Sequence, residues 1–175
     1  LRNRQEKART ALAGLAEAHT NKMQQTPNRS WLMHYYDDLM THSWDPWGQI
    51  AQVAKDQGRR VVGTFCVFAP DELIYAAGGL PIRLDAGADE VISEGEQELG
   101  TVNLCPMIKS SMGLKRLNLP FAGEAAIDLA LIPSVCDGKK KLVDIFAHYV
   151  PTWMIQVPHT SLDPRTRDYW RTEMR

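Results

Sequence analysis

The sequence predicts an α/β fold: a parallel sheet of about four strands with flanking helices, preceded by a helical amino-terminal segment. Three observations carry this prediction. Val61 to Phe68 is an apolar, β-branched run of the kind that forms a strand buried on both faces. Pro70-Asp71-Glu72 then opens a segment with helical character, since proline at a first helical position with acids in the first turn marks a helix start. The arrangement recurs at Leu129 to Val135, an apolar run followed by Cys136, an Asp137-Gly138 turn and a helical stretch from Lys139 to Tyr149. Such alternation implies parallel strands joined by right-handed crossovers.

In chain order, Gln5 to Gln25 reads as a helix, with Ala8, Leu12, Leu15, Ala16 and Met23 near helical spacing. Thr26-Pro27-Asn28 breaks it, and Ser30 is placed to cap a helix from Trp31 to Met40. Ser43-Trp44-Asp45-Pro46 reads as a turn, and Trp47 to Asp56 as a third helix closed by Gly58. The α/β pattern starts at Arg59. Strand Val61 to Phe68 leads to helix Asp71 to Ala77, which ends in Gly78-Gly79. Leu80 to Leu84 is a second strand, residues 85–89 a loop, and Glu90 to Leu99 an acidic helix. Pro106 heads the helix Met107 to Leu117, and Asn118 to Gly123 is a loop. Asp128 to Val135 is the third strand and residues 153–157 the fourth, with Asp163-Pro164 opening a last helix. This divides the chain into a helical segment, 1–58, and an α/β lobe, 59–175, expected to be a piece of a longer protein because residue 1 is not methionine and the sequence stops at Arg175 within an apparent helix.

A chain of 175 residues, 44% hydrophobic and 23% charged, supports one globular domain of ordinary size. A formal net charge of −1 supplies no overall drive towards nucleic acid or a membrane surface. No run of about 18 apolar residues suggests a membrane span. The polar start, Leu1-Arg2-Asn3-Arg4-Gln5, is unlike a signal peptide. Three cysteines, an odd number, argue against a complete disulfide framework and for reduced thiols in the cytoplasm.

All three cysteines share one place in the pattern. Cys66 and Cys136 follow apolar runs, Cys105 precedes Pro106, and each stands where a loop enters a helix. In open α/β sheets the carboxyl edge of the strands is where ligands bind. Free cysteine is also among the most buried residue types, so each taken alone reads equally as a small core hydrophobe. Together, three thiolates at one sheet edge suit a metal or a cluster, and helix N-termini beside them would stabilise negative charge. Structural zinc takes four protein ligands, and His19, His34, His42, His148 and His159 show no ligand-like pairing with the cysteines. An iron–sulfur cubane accepts three cysteines with an open or exogenous fourth position. No spacing pairs one cysteine with one histidine as a nucleophile.

Other features carry less. Gly-x-Gly-x-x-Gly and Walker-type patterns are absent. Gly78-Gly79 reads as a helix end. Lys139-Lys140-Lys141 reads as a solvated face, or as a counter-charge for an acidic partner or a nearby cluster. Ser110-Ser111 reads as an exposed helix face, or as hydroxyls offered to a cluster. Trp31, Tyr35, Tyr36, Trp44 and Trp47 form an aromatic set that reads as a packing layer against a domain or partner chain, or as a cofactor box.

Several stretches match a known family in order. Gly63-Thr64-Phe65-Cys66, then Pro70-Asp71-Glu72-Leu73-Ile74-Tyr75-Ala76-Ala77-Gly78-Gly79-Leu80-Pro81-Ile82-Arg83-Leu84, resemble the 2-hydroxyacyl-CoA dehydratase and benzoyl-CoA reductase family, D-component type. Asn103-Leu104-Cys105-Pro106-Met107-Ile108-Lys109-Ser110-Ser111-Met112-Gly113 and Cys136-Asp137-Gly138-Lys139-Lys140-Lys141 look most like its double-cubane cluster branch. The resemblance runs from about Arg59 to the end. It implies a Rossmann-like, cytoplasmic lobe in which Cys66, Cys105 and Cys136 ligate an iron–sulfur cluster, either 4Fe–4S or double-cubane. It further implies a second lobe of the same chain, an ATP-hydrolysing iron–sulfur activator protein, an acyl-CoA substrate and a homodimer or related subunit. The implied activity is a dehydratase (lyase) or ATP-dependent reductase, with this lobe inactive alone. Against it stand a non-catalytic binding module and a zinc-stabilised structural domain.

Overall fold

The computed structural model describes residues 1–37, 46–119 and 127–175, with the side chains of all but 19 and 46–49. Four short strands form one sheet: β1 (Val61–Thr64), β2 (Leu80–Arg83), β3 (Leu129–Pro133) and β4 (Thr152–Ile155). They lie in the order β2-β1-β3-β4, and every neighbouring pair is parallel. The α/β expectation therefore holds.

The helices are α1 (Arg2–Gln24), α2 (Pro46–Asp56), α3 (Asp71–Ala76), α4 (Ile92–Leu99), α5 (Pro106–Arg116), α6 (Asp137–Phe146) and α7 (Pro164–Glu173). Local chemistry explains their ends. Asp163 caps α7 by accepting a hydrogen bond from the N–H of Arg165 (2.9 Å), and Pro164 takes the first helical position. Gly58, Gly78 and Gly100 close α2, α3 and α4 with φ of +76°, +80° and +67°, a conformation glycine adopts without penalty.

One face of the sheet carries the core. Val61, Leu80, Ile82, Ala130 and Ile132 pack against Ala51 and Ala54 of α2, Ile108 and Met112 of α5, and Leu142 and Phe146 of α6. Phe65 meets Phe146 edge to face, with centroids 5.4 Å apart. The other face is also apolar but open. Val62, Leu129, Leu131 and Trp153 line a cleft of about 520 Å³ between α3 and the end of α7. The continuous apolar runs thus reflect two apolar faces, of which one is fully packed. A second cluster joins Ala8 and Leu12 of α1 to Ala86, Val91, Leu114, Leu117 and Leu119. At the amino edge, Asp128 accepts a hydrogen bond from the N–H of Val61 (2.8 Å), with Lys55 and Arg60 at 3.4 and 3.5 Å. That backbone bond first, and the two cations after it, hold the Asp128 carboxyl below the usual carboxylate range.

Several boundaries differ from the sequence reading. The strand read as Val61 to Phe68 ends at Thr64, because Cys66 turns into the left-handed region with φ +61°. Asp137-Gly138 is no turn: α6 begins at Asp137 with Cys136 as its N-cap, and it ends at Phe146 instead of Tyr149. Pro70 flanks α3 as its N-cap and does not occupy the first helical position. Glu90 belongs to a 3₁₀ turn, Asp89–Val91, ahead of α4. Trp31–Met33 is also a 3₁₀ turn; Ser30 caps it, accepting from the N–H of Leu32 at 3.4 Å. Residues 34–37 follow it as helix, while residues 38–40 of the helix read to Met40, the turn residues Ser43 to Asp45, and the loop beyond Leu119 lie outside the described residues. The last helix ends at Glu173, before the chain does.

Candidate metal centre

The site is built on the carboxyl edge of the sheet. β1 passes to β2 on one side, while β3 pairs with β1 on the other, so the strand order reverses direction between β1 and β3. Such a switch point opens a crevice at the strand ends, and ligands of doubly wound sheets bind there. Cys66 lies two residues beyond β1 and Cys136 three beyond β3, so these two cysteines stand on either side of the switch point. Cys105 enters from the next helix as the N-cap of α5.

All three cysteines are free. Cys105 and Cys136 are exposed and Cys66 is half-buried. The reading of these residues as small core hydrophobes therefore fails for Cys105 and Cys136. Both N-cap their helices without a side-chain cap bond, which leaves first-turn N–H groups and the positive end of each helix dipole beside a sulfur. The α5 and α6 starts are packed together. A Cβ on Gly138 would come within 2.7 Å of Ile108 Cδ1, 3.5 Å of Leu104 Cδ2 and 3.8 Å of Cys136 Sγ. Glycine in the first turn of α6 thus brings the segment bearing Cys136 against the residues that flank Cys105.

Cys66 is held differently. A non-glycine residue with positive φ carries strain of about 1–3 kcal/mol, which persists only where the surroundings fix it. Here its N–H donates to Asp85 Oδ2 (2.6 Å), and its carbonyl accepts from Arg83 Nη1. Arg83 also donates to Asp71 Oδ2 (2.8 Å), at the start of α3. The other Asp85 oxygen accepts from Lys139 Nζ (2.6 Å), whose ammonium stands 4.3 Å from the Phe65 ring centroid.

These contacts correct two expectations. Lys139 is not part of a solvated face; it is buried, while Lys140 and Lys141 are exposed. Its place in α6 points it at Asp85 rather than at solvent. Ser110 and Ser111 are also buried, at 1% and 3% exposure. Ser111 Oγ accepts from the N–H of Ala86 (3.0 Å) and lies 2.7 Å from the Leu84 carbonyl. Ser110 Oγ bonds the N–H and carbonyl of Ala88 at 2.8 and 3.0 Å. The serines hold the loop that carries Asp85 and offer nothing outward. The sequence reading missed Asp85 and Arg83; an acid and a base closing a strand beside a cysteine turn were the available signal.

Among the described residues, no group of three or more His, Cys, Asp or Glu side chains is placed to hold a single metal ion. His34 lies 3.6 Å from Asp37 in the amino-terminal segment, and His159 lines a separate cleft with Phe68 and Trp170. His42 and the side chain of His19 lie outside the described set. A ready tetrahedral zinc site is thus absent from the described residues. The donor set that remains is three free thiols on consecutive units of one sheet edge. Thiolates are the donors that iron–sulfur clusters take in general, with different thiolates binding different irons. No described helix is long and apolar enough to cross a membrane.

Two comparisons with known proteins bear on this edge. A protein of Escherichia coli (strain K12) described as "Putative dehydratase subunit YjiM" is 38% identical over 121 residues, covering 69% of this chain and 31% of that protein. The chain therefore spans about a third of that relative's length. The family model for the 2-hydroxyglutaryl-CoA dehydratase D-component matches residues 66–175, beginning at Cys66 and including Cys105 and Cys136. The chain belongs to the 2-hydroxyglutaryl-CoA dehydratase D-component family.

Proposed function

We propose that this chain is the cluster-binding lobe of a dehydratase-like or double-cubane-type enzyme, with Cys66, Cys105 and Cys136 as protein ligands of an iron–sulfur cluster. The observation that carries the reading is the position of the three free thiols: two flank the β1/β3 switch point, and the third caps the helix packed beside them. Such a cluster supplies single electrons at low potential, which suits substrates that resist hydride chemistry.

The chain's own residues do the holding. The first-turn N–H groups of α5 and α6 set positive dipole ends beside two of the sulfurs. Lys139, ion-paired with Asp85, keeps one buried cation at this edge. Phe65 and Ile108, each close in sequence to a cysteine, are buried in the core with Phe146. Free thiols persist in a reducing compartment, in keeping with a cytoplasmic enzyme. The whole protein would add a second lobe, an ATP-hydrolysing activator that delivers electrons, an acyl-CoA substrate, and a second copy or related subunit.

Elemental analysis of protein prepared without oxygen tests this. Iron and acid-labile sulfide in comparable amounts, with the broad visible absorption of a cluster, are expected. Stoichiometric zinc in their place would overturn the proposal. A second reading, a docking module, draws on the exposed rings of Trp31, Tyr35 and Tyr36. It predicts neither iron nor sulfide.

A further inference from the structure

Asp85 and Lys139 stand 54 residues apart in sequence and meet at the centre of the sheet edge. The Asp85 carboxylate is divided between two tasks: Oδ2 takes the Cys66 N–H and Oδ1 takes the Lys139 ammonium, each at 2.6 Å. The first contact stabilises the left-handed turn at Cys66. The second reaches the first turn of α6, three residues after Cys136. The loop holding Asp85 is itself fastened to α5, the helix capped by Cys105, through Ser110 and Ser111. One carboxylate is thus tied to all three cysteine-bearing segments.

We infer that Asp85 and Lys139 are positioning residues that set the placement of Cys66 relative to Cys136, an inference that rests on the cluster-binding reading above. Neither side chain needs to touch a ligand. Asp85 acts through the Cys66 backbone, and Lys139 acts by orienting Asp85 and joining it to α6. Burial makes the pair effective. Lys139 is 6% exposed and packed over the Phe65 ring, so its ammonium has little choice of partner. Outer-shell groups that orient ligands are costly to remove even where the ligands themselves are kept.

The test uses the 175-residue chain with Asp85→Ala, Asp85→Asn and Lys139→Met, each checked for native circular dichroism. In the metal-free protein, iodoacetamide labelling of Cys66 is compared with that of Cys105 in the same sample by peptide mass spectrometry. Loss of the clamp should raise the Cys66 rate about tenfold relative to Cys105 in Asp85→Ala and Lys139→Met. Asp85→Asn keeps an acceptor for the Cys66 N–H and should fall between. After anaerobic reconstitution with ferrous iron and sulfide, the first two variants should retain iron about tenfold less well and show an altered electron paramagnetic resonance signature. Unchanged Cys66 labelling in folded variants would overturn the inference whatever the wild type binds. A wild type that takes up no iron would overturn the cluster reading, and with it the ligand-positioning role, while the labelling would still report on the turn. If Asp85→Ala does not fold, Lys139→Met decides, since it leaves the Cys66 hydrogen bond in place chemically and removes only its anchor.

Discussion

The carbonyl of Lys109 occupies the space that a side chain on Gly95 would need. Helices α4 and α5 cross here with their backbones in contact, and the contact repeats where Gly113 meets the carbonyl of Val91. Backbone cannot swing aside as a side-chain tip can. Gly95→Ala should therefore separate α4 from α5 and cost about 3 kcal/mol. Urea denaturation read by circular dichroism checks this; a lowered midpoint at unchanged slope is expected. Gly14, inside α1, faces open space, and Gly14→Ala should instead stabilise by about 0.5–1 kcal/mol.

Asp128 joins the starts of β1 and β3 to α2. Its carboxyl is lowered by the Val61 N–H, then by Lys55 and Arg60. A lowered acid contributes stability above its unfolded value, about 3.9, and loses it as pH falls through the folded value. Asp128→Asn should thus cost about 1 kcal/mol at neutral pH, with the gap to wild type closing below about pH 4. Denaturation midpoints of both proteins across that range supply the check. A gap that widened in acid would contradict the assignment.

Tyr149 behaves in the opposite sense. Burial first, then its hydrogen bond to Glu98 Oε1 (2.5 Å), pushes its hydroxyl up to about 12. An acid raised on folding gives stability that is complete below its unfolded value, about 10, and is lost as pH rises towards 12. Wild type should lose stability across that alkaline window faster than Tyr149→Phe. At neutral pH the variant should be about 1 kcal/mol less stable. Parallel alkaline titrations of stability would show the curves converge; parallel curves would contradict the prediction.

How far the sequence revealed this edge depends on the range of the interactions involved. The strands and the cysteine positions were legible because apolar runs, prolines and glycines act locally. Cys136 at a helix entry and Gly78 at a helix end follow from residues within one turn. The burial of Lys139 was not legible. It reads as one of three lysines in a polar stretch, and its partner lies 54 residues away. Ser110 and Ser111 misled for the same reason: the loop they hold, 84–88, comes from a different unit. The end of β1 at Thr64 was hidden because Cys66, Val67 and Phe68 have strand-like side chains. The backbone turns at Cys66, where Asp85, beyond the neighbouring strand's end, and Arg83, at that end, hold its N–H and carbonyl.

Cys66 itself offers a backbone test. Its left-handed φ should accept glycine readily, so Cys66→Gly should be at least as stable as Cys66→Ala, by up to about 1 kcal/mol. Thermal denaturation of the two variants compares them directly. A clearly more stable alanine variant would place the residue in an ordinary extended turn.

The central claim is that three free thiols on one sheet edge are cluster ligands, and iron content of Cys136→Ala against wild type tests it most directly. Cys136 is exposed and makes no side-chain cap bond, so alanine there should change stability by no more than about 0.5 kcal/mol and leave circular dichroism unaltered. After anaerobic reconstitution, wild type should hold about four irons and four sulfides per chain for a single cubane, and the folded variant should hold little of either. Equal iron and sulfide in both proteins, with the same spectrum, would contradict the claim and return Cys136 to the role of an ordinary surface residue.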